Sequence, residues 1–190
     1  QLVWNIRHLL KSDMDSGSID DALDSITSDF SVIADSGDNP TAGGVGDRVD
    51  ILKAVLDKKV NGSLFAGIAS KTAYELLKHR NEFTLGGAYG GGGPSLKLEA
   101  ENVYFKNKCA VVTVSGVVII ITKLRRPFHY LKDFVDVNLD LKSFKILIVK
   151  SGYLSPELKS LSAPSFMALT MGAVNQDLMG IENNNRMRQI

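Results

Sequence analysis

Apolar and polar positions along this chain follow two different rhythms. A short apolar run at residues 30–34 reads as a buried strand, and a polar, glycine-rich stretch at residues 35–47 follows it. Beyond the glycines, Val49, Leu52, Val55 and Leu56 recur with a period of about 3.6, the mark of a helix with one buried face. Strand, glycine loop and helix form the unit around which the rest is arranged. Residues 64–69 read as a second strand, and residues 71–79 as a helix with Ala73, Leu76 and Leu77 turned inward. Upstream, residues 12–17 break the pattern, and Ser18 with Asp20 and Asp21 then predicts a capped helix that buries Ile19, Ala22, Leu23 and Ile26. Helices and strands alternating in this way predict parallel strands joined by helical crossovers.

The pattern changes at residue 82. Strand signals follow at residues 83–85, 96–105, 110–114 and 117–124 with no helix between them. Ser115 and Gly116, set between two β-branched runs, are a tight hairpin signal. An antiparallel meander inserted into the parallel sheet, or appended to it, is expected here. The glycine run at residues 90–93 is low in complexity and expected to be mobile, with no helix after it to cradle a phosphate. Helical signals return at residues 129–135. Residues 144–149 form a continuous apolar strand, buried on both faces, and Ser155-Pro156-Glu157 marks a helix start. A last strand is expected at residues 166–170 and a short helix at residues 175–180. The fold class that follows is α/β: a three-layer mixed sheet of parallel βα units with an antiparallel β-meander.

Three of these strands end in small or polar residues. If they are parallel neighbours, their loops gather on one edge of the sheet, where open α/β sheets bind ligands. The candidate cleft-lining residues are then Asp35, Asp38, Asn39, Thr41, Gly43, Gly44, Gly46 and Asp47 from the first loop, and Lys150, Ser151 and Gly152 from the second. Residues 170–177 would complete the group. A plainer reading stands beside this one: the glycines supply the positive φ angles of a long turn, and Asp47 caps the helix through its carboxylate. No Gly-Lys-Ser/Thr closes the loop, which excludes a nucleoside triphosphate P-loop.

Composition narrows the chemistry. A chain of 190 residues, 44% hydrophobic and 23% charged, is enough for one globular domain with a core. The net charge of +1 gives no footprint for nucleic acid. The single cysteine, Cys109, excludes an internal disulfide and any cysteine-built metal site, and its apolar setting predicts a buried, inert thiol. The longest apolar run, residues 117–121, falls far short of the ~18 residues that span a bilayer, so no membrane partner and a cytoplasmic location are expected. His8, His79 and His129 stand apart in no ligand pattern, and no Gly-x-Ser-x-Gly elbow occurs. Asp35, Asp38 and Asp47 lack EF-hand spacing. No catalytic residue is assigned with certainty and no metal ligand at all. Lys150 reads as an anion contact, a desolvated base or a solvated lysine at a strand end. The chain opens with Gln and with a helical stripe at Leu2, Ile6, Leu9 and Leu10 beside Trp4. That opening predicts a piece of a longer protein whose apolar face awaits a partner, a homodimer being one way to cover it.

The stretch DSGDNPTAGGVGD at residues 35–47 resembles the signature loop of the microcystinase C (MlrC)-like metallopeptidase family, in its C-terminal domain. TKLRRPFHYLKDF at residues 122–134, ILIVKSGYLSPEL at residues 146–158 and ALTMGAVNQDL at residues 168–178 extend the likeness in the same order. Met171 departs from it, standing where the family pattern implies proline. The resemblance implies that residues 1–29 are a helical lead-in from an N-terminal domain and that residues 30–190 form the C-terminal α/β domain. It further implies a zinc-dependent hydrolase acting on a peptide or small amide, with its metal ligands in the N-terminal domain and no metal bound by this portion. The glycine loop would face an interdomain cleft. Two other readings remain open: a noncatalytic module holding an anionic small molecule at the N-terminus of the helix after the loop, and a purely structural assembly domain.

Overall fold

The computed structural model describes residue 5 and residues 14–26, 30–161 and 164–177. The expected helix over the opening residues, with Trp4, lies outside the described residues, as do residues 178–180 of the expected last helix. Residues 175–177 are not helical.

Among the described residues ten strands form two sheets. In chain order they are β1 (Asp15–Gly17), β2 (Ser31–Asp35), β3 (Ser63–Ala69), β4 (Glu82–Leu85), β5 (Leu96–Glu99), β6 (Asn102–Lys106), β7 (Cys109–Val114), β8 (Val117–Thr122), β9 (Ile146–Val149) and β10 (Ser165–Ala168). The large sheet runs β1-β10-β2-β9-β3-β8-β7-β6, while β4 and β5 make a separate antiparallel hairpin. All pairs from β1 through β8 are parallel, and β7 and β6 extend that edge antiparallel. The mixed α/β architecture expected from the sequence is present, with the meander appended to one edge.

Local chemistry explains the elements. Every residue of β2, β3 and β9 is buried, as a parallel sheet covered on both faces requires. Side chains on one face form a cluster with the helices α1 (Ile19–Asp24), α2 (Asp50–Asp57) and α3 (Lys71–Leu76), built on Ile33, Leu52, Phe65, Ala73 and Ile148. The other face packs Val32, Leu64, Leu147 and Val149 against Phe128, Phe134 and Leu158, the last two from α4 (Leu131–Val135) and α5 (Pro156–Lys159). Each large aliphatic or aromatic side chain fully buried this way contributes about 1.5–3 kcal/mol. The expected caps form: Ser18 and Asp21 make a reciprocal capping box on α1, and Ser155 caps α5 with Pro156 in its first turn. Ser115 and Gly116 turn β7 into β8 with φ of 49° and 75°, a left-handed pair suited to a hairpin.

Four expectations are corrected. Residues 15–17, read as a break, form β1, held by parallel pairing with Phe166, Met167 and Ala168. The strand expected over residues 96–105 is two strands in different sheets, because the chain turns at Ala100, whose N–H bonds Asn81 O while that of Glu101 bonds Thr113 O. The α-helix expected over residues 71–79 ends at Leu76, with tighter turns carrying the chain on to Arg80. The last strand stops at Ala168 because Thr170 turns aside to bond the glycine loop. Among the described residues no helix is long and apolar enough to cross a membrane.

Candidate functional site

Strands β10, β2 and β9 are parallel neighbours, so the loops that leave their carboxyl ends meet. Asp35 closes β2, and its Oδ1 accepts a hydrogen bond from Thr170 Oγ1 at 2.6 Å. Lys150, the residue after β9, sends Nζ to Asp35 Oδ2 at 2.9 Å and to Asp38 Oδ2 at 3.1 Å. All three side chains are at most 4% exposed. Burial acts to lower the Lys150 pKa, but the charges and hydrogen bonds of the two carboxylates outweigh it and hold the ammonium above its ordinary range. Lys150 is therefore neither a solvated lysine nor a base poised to accept a proton. It is the cation of a buried carboxylate–ammonium–carboxylate network.

The same network shapes the glycine loop. Asp38 Oδ1 accepts from Gly46 N–H at 2.8 Å and its Oδ2 from Arg48 N–H at 2.8 Å, which draws the far end of the loop back onto its start. Asn39 caps a single 3-10 turn, Pro40–Ala42, by accepting from Thr41 N–H at 3.0 Å and Thr41 Oγ1 at 2.7 Å. Gly43, with φ of 104°, ends that turn in the left-handed region. Gly37 donates its N–H to Thr170 Oγ1 at 2.8 Å and accepts from Val174 N–H at 2.9 Å. A Cβ on Gly37 would lie 2.1 Å from the Thr170 carbonyl oxygen, so the two loops interlock backbone to backbone. Thr41 and Gly43 stay exposed at the tip, with Ala42 between them, while Asp35, Asp38, Asn39, Gly44, Gly46, Lys150, Ser151 and Gly152 are buried beneath. Ser151 N–H bonds Asp35 O at 3.1 Å, and Gly152 lies against the Asn39 and Gln176 side chains.

Asp47 departs from expectation. The N-cap of α2 is Val49, with no side-chain cap, and the buried Asp47 carboxylate points away from the helix. Its Oδ2 accepts from Tyr89 N–H at 2.5 Å and, more weakly, from Gly91 N–H at 3.4 Å, while Oδ1 has no hydrogen-bond partner among the described residues. Arg48 grips the same strap through Gly91 O at 2.9 Å and is itself held by both oxygens of Asp50. Tyr89 OH lies between Lys71 N–H and the Lys123 carbonyl. The run expected to be mobile is thus tied down at Tyr89 and Gly91. Replacing Asp47 with Ala leaves two N–H groups without their acceptor, so a loss of about 1–3 kcal/mol is expected. Amide exchange at residues 89–91 should rise well above that at residues 96–99, and unchanged exchange would dismiss the strap.

The candidate residues thus fall into a buried base (Asp35, Asp38, Lys150), an exposed tip (Thr41, Gly43) and a separate tie (Asp47). Tyr89 and Arg48 belong to the same construction but were not singled out in the sequence, whereas Thr170 opens the stretch, residues 170–177, that was expected to complete the group. Thr170 carried the one available signal, a polar residue just past an apolar strand.

Residues 33–185 match the family described as MlrC C-terminus. The chain belongs to the MlrC C-terminal family. The fold of this MlrC C-terminal domain is similar to the crystal structure of a candidate metallopeptidase from Mesorhizobium sp. BNC1, with a TM-score of 0.71 at 18% identity. The match covers 92% of this chain and 40% of that one, so the domain spans well under half of that protein's length. No curated protein matches the sequence.

A metallopeptidase neighbour raises the question of a metal ion. Among the described residues no three His, Cys, Asp or Glu side chains are grouped to hold one. The buried carboxylate pair beneath the glycine loop, Asp35 and Asp38, already encloses the Lys150 ammonium, whose charge stands where a cation would sit. These residues do not fit a metal site.

Proposed function

We propose that this MlrC C-terminal domain forms one wall of an active-site cleft in a hydrolase of peptides or small amides. In this reading the other wall, with its metal ligands, belongs to an N-terminal domain of the same protein, and zinc is the metal. The observation that carries the proposal is the exposed Thr41–Gly43 tip seated on a buried, ion-paired base at the carboxyl ends of three adjacent parallel strands. A loop fixed by charge-assisted bonds orients a substrate without being ordered by it, which is where such rigidity helps catalysis. The domain's contribution would be positioning and exclusion of water, with the attack on the amide carried by groups outside it.

The anion-module reading fares less well. At the start of α2 the Asp38 carboxylate already takes the Arg48 N–H, and Asp50 occupies the first turn, so the place an anion would use is lined with acids.

Asp38→Ala does not test the cleft, since it would also break the buried base. Ala42→Trp does, because Ala42 is exposed at the loop tip while Asp35, Asp38 and Lys150 of the base are buried. In the full-length protein it is expected to lower kcat/KM on a peptide amide by at least about tenfold, with thermal stability unchanged. Full activity in Ala42→Trp would leave the loop without a role in substrate handling.

A further inference from the structure

Beyond the glycine loop, the carboxyl end of β8 opens into a cavity of about 540 Å³ that the proposed function does not use. Four of its lining side chains are cationic, Lys108, Lys123, Arg125 and Arg126, and none is acidic. In a chain of net charge +1 such a concentration is local. We propose that this cavity binds a small organic oxyanion, a carboxylate or phosphate carried on an apolar body. The inference stands independently of the hydrolase reading.

The cations are not equivalent. Lys123 is 2.6 Å from Glu75 and 4.7 Å from the centre of the Tyr74 ring, and Arg126 is 3.3 Å from Asp133. Those two are partly neutralised and held in place. Arg125 and Lys108 are exposed and make no ion pair or side-chain hydrogen bond among the described residues. A guanidinium and an ammonium left free at the mouth of one cavity are the natural donors for an incoming oxyanion, since the fork of Arg matches either carboxylate or phosphate oxygens. The remaining lining is Tyr74 and Thr122, both largely buried, and Leu124, which is 71% exposed although it is a large aliphatic residue and offers contact to an apolar body.

Two features make the cavity a built one. Lys108 occupies the hairpin between β6 and β7 with φ of 61°, while Arg125 follows β8, so the free charges come from separate elements fixed by the β-meander. Arg125 also starts beside the glycine loop, its Cβ 3.6 Å from where a Cβ on Gly46 would stand. A ligand here would border the loop without displacing its buried base.

The test is calorimetric titration of the 190-residue chain with phenylacetate, phenyl phosphate and neutral phenylacetamide at low ionic strength. At least one anion is expected to saturate the protein at millimolar concentration or below, with phenylacetamide at least about tenfold weaker. The tighter anion tells whether the natural group is a carboxylate or a phosphate. The double variant Arg125→Gln with Lys108→Asn keeps a residue tolerant of left-handed φ in the hairpin, and it should weaken anion binding by about tenfold or more with unchanged melting temperature. Failure of both anions to saturate, equal binding of phenylacetamide, or an unaffected double variant would overturn the proposal.

Discussion

Replacing Lys150 with Met is expected to cost about 3–5 kcal/mol of folding stability, read as a drop in the denaturant midpoint, because it strands two carboxylates in the interior. Asp35 and Asp38 are each at most 4% exposed, and neither reaches another side-chain cation among the described residues. Combining Lys150→Met with Asp35→Asn and Asp38→Asn should restore much of the loss, since neutral amides do not carry the penalty of an unpaired charge. A triple variant no more stable than the single one would show that packing, and not charge, is at stake.

The pH dependence follows from the same network. The folded state holds the Lys150 pKa above its ordinary value of 10.5, so the ammonium stabilises the fold fully below that pH. That contribution is lost as the pH rises from 10.5 through the folded-state pKa. The Lys150 contribution to the difference between wild type and Lys150→Met should therefore stay whole up to about pH 10 and be lost above it, so the two stabilities converge only at alkaline pH. A gap that closes below pH 9 would contradict the assignment.

The second large effect is expected at Gly37. Gly37→Ala places a methyl group 2.1 Å from the Thr170 carbonyl oxygen and 2.6 Å from that of Met171, both of them backbone atoms. The loops must separate, which loosens the Thr170 bonds to Gly37 N–H and Asp35 together. A loss of about 3 kcal/mol is expected, at the upper end of overpacking costs because neither neighbour is a side chain that can swing away. By contrast Gly43, whose missing Cβ would meet nothing, is constrained by φ alone, and Gly43→Asn should cost far less. Gly37 itself has no left-handed φ, so a loss at Gly37→Ala no larger than that at Gly43→Asn would show that the two loops yield and that close approach is not limiting.

Much of this architecture was legible along the chain, and the parts that were not share a physical cause. The apolar runs of β2 and β9 declare themselves because both faces of each are buried, and Lys150 stood out as a charge at the end of such a run. The direction in which Lys150 points depends on β2 lying beside β9, a pairing that spans more than a hundred residues of sequence. Strand β1 carries no apolar alternation at all: its three residues are extended only because Phe166–Ala168 offers them a ladder. Asp47 sits where a helix cap would be expected by spacing, yet its carboxylate turns toward N–H groups that arrive from residues 89 and 91. Local preference placed the elements, and long-range partners decided what the polar side chains between them do.

Asp35 and Asp38 wait for a lysine 115 and 112 residues downstream, and Asp35 for a threonine 135 residues on. During synthesis the first two strands leave the ribosome long before their counter-charge exists. At about 5–20 residues per second, the nascent chain carries both carboxylates uncompensated for roughly 5–25 s. Unpaired carboxylates are costly to bury, so the native burial of Asp35 and Asp38 requires Lys150 to be present. A residue late in this domain thus bears on when the domain's own early strands are buried.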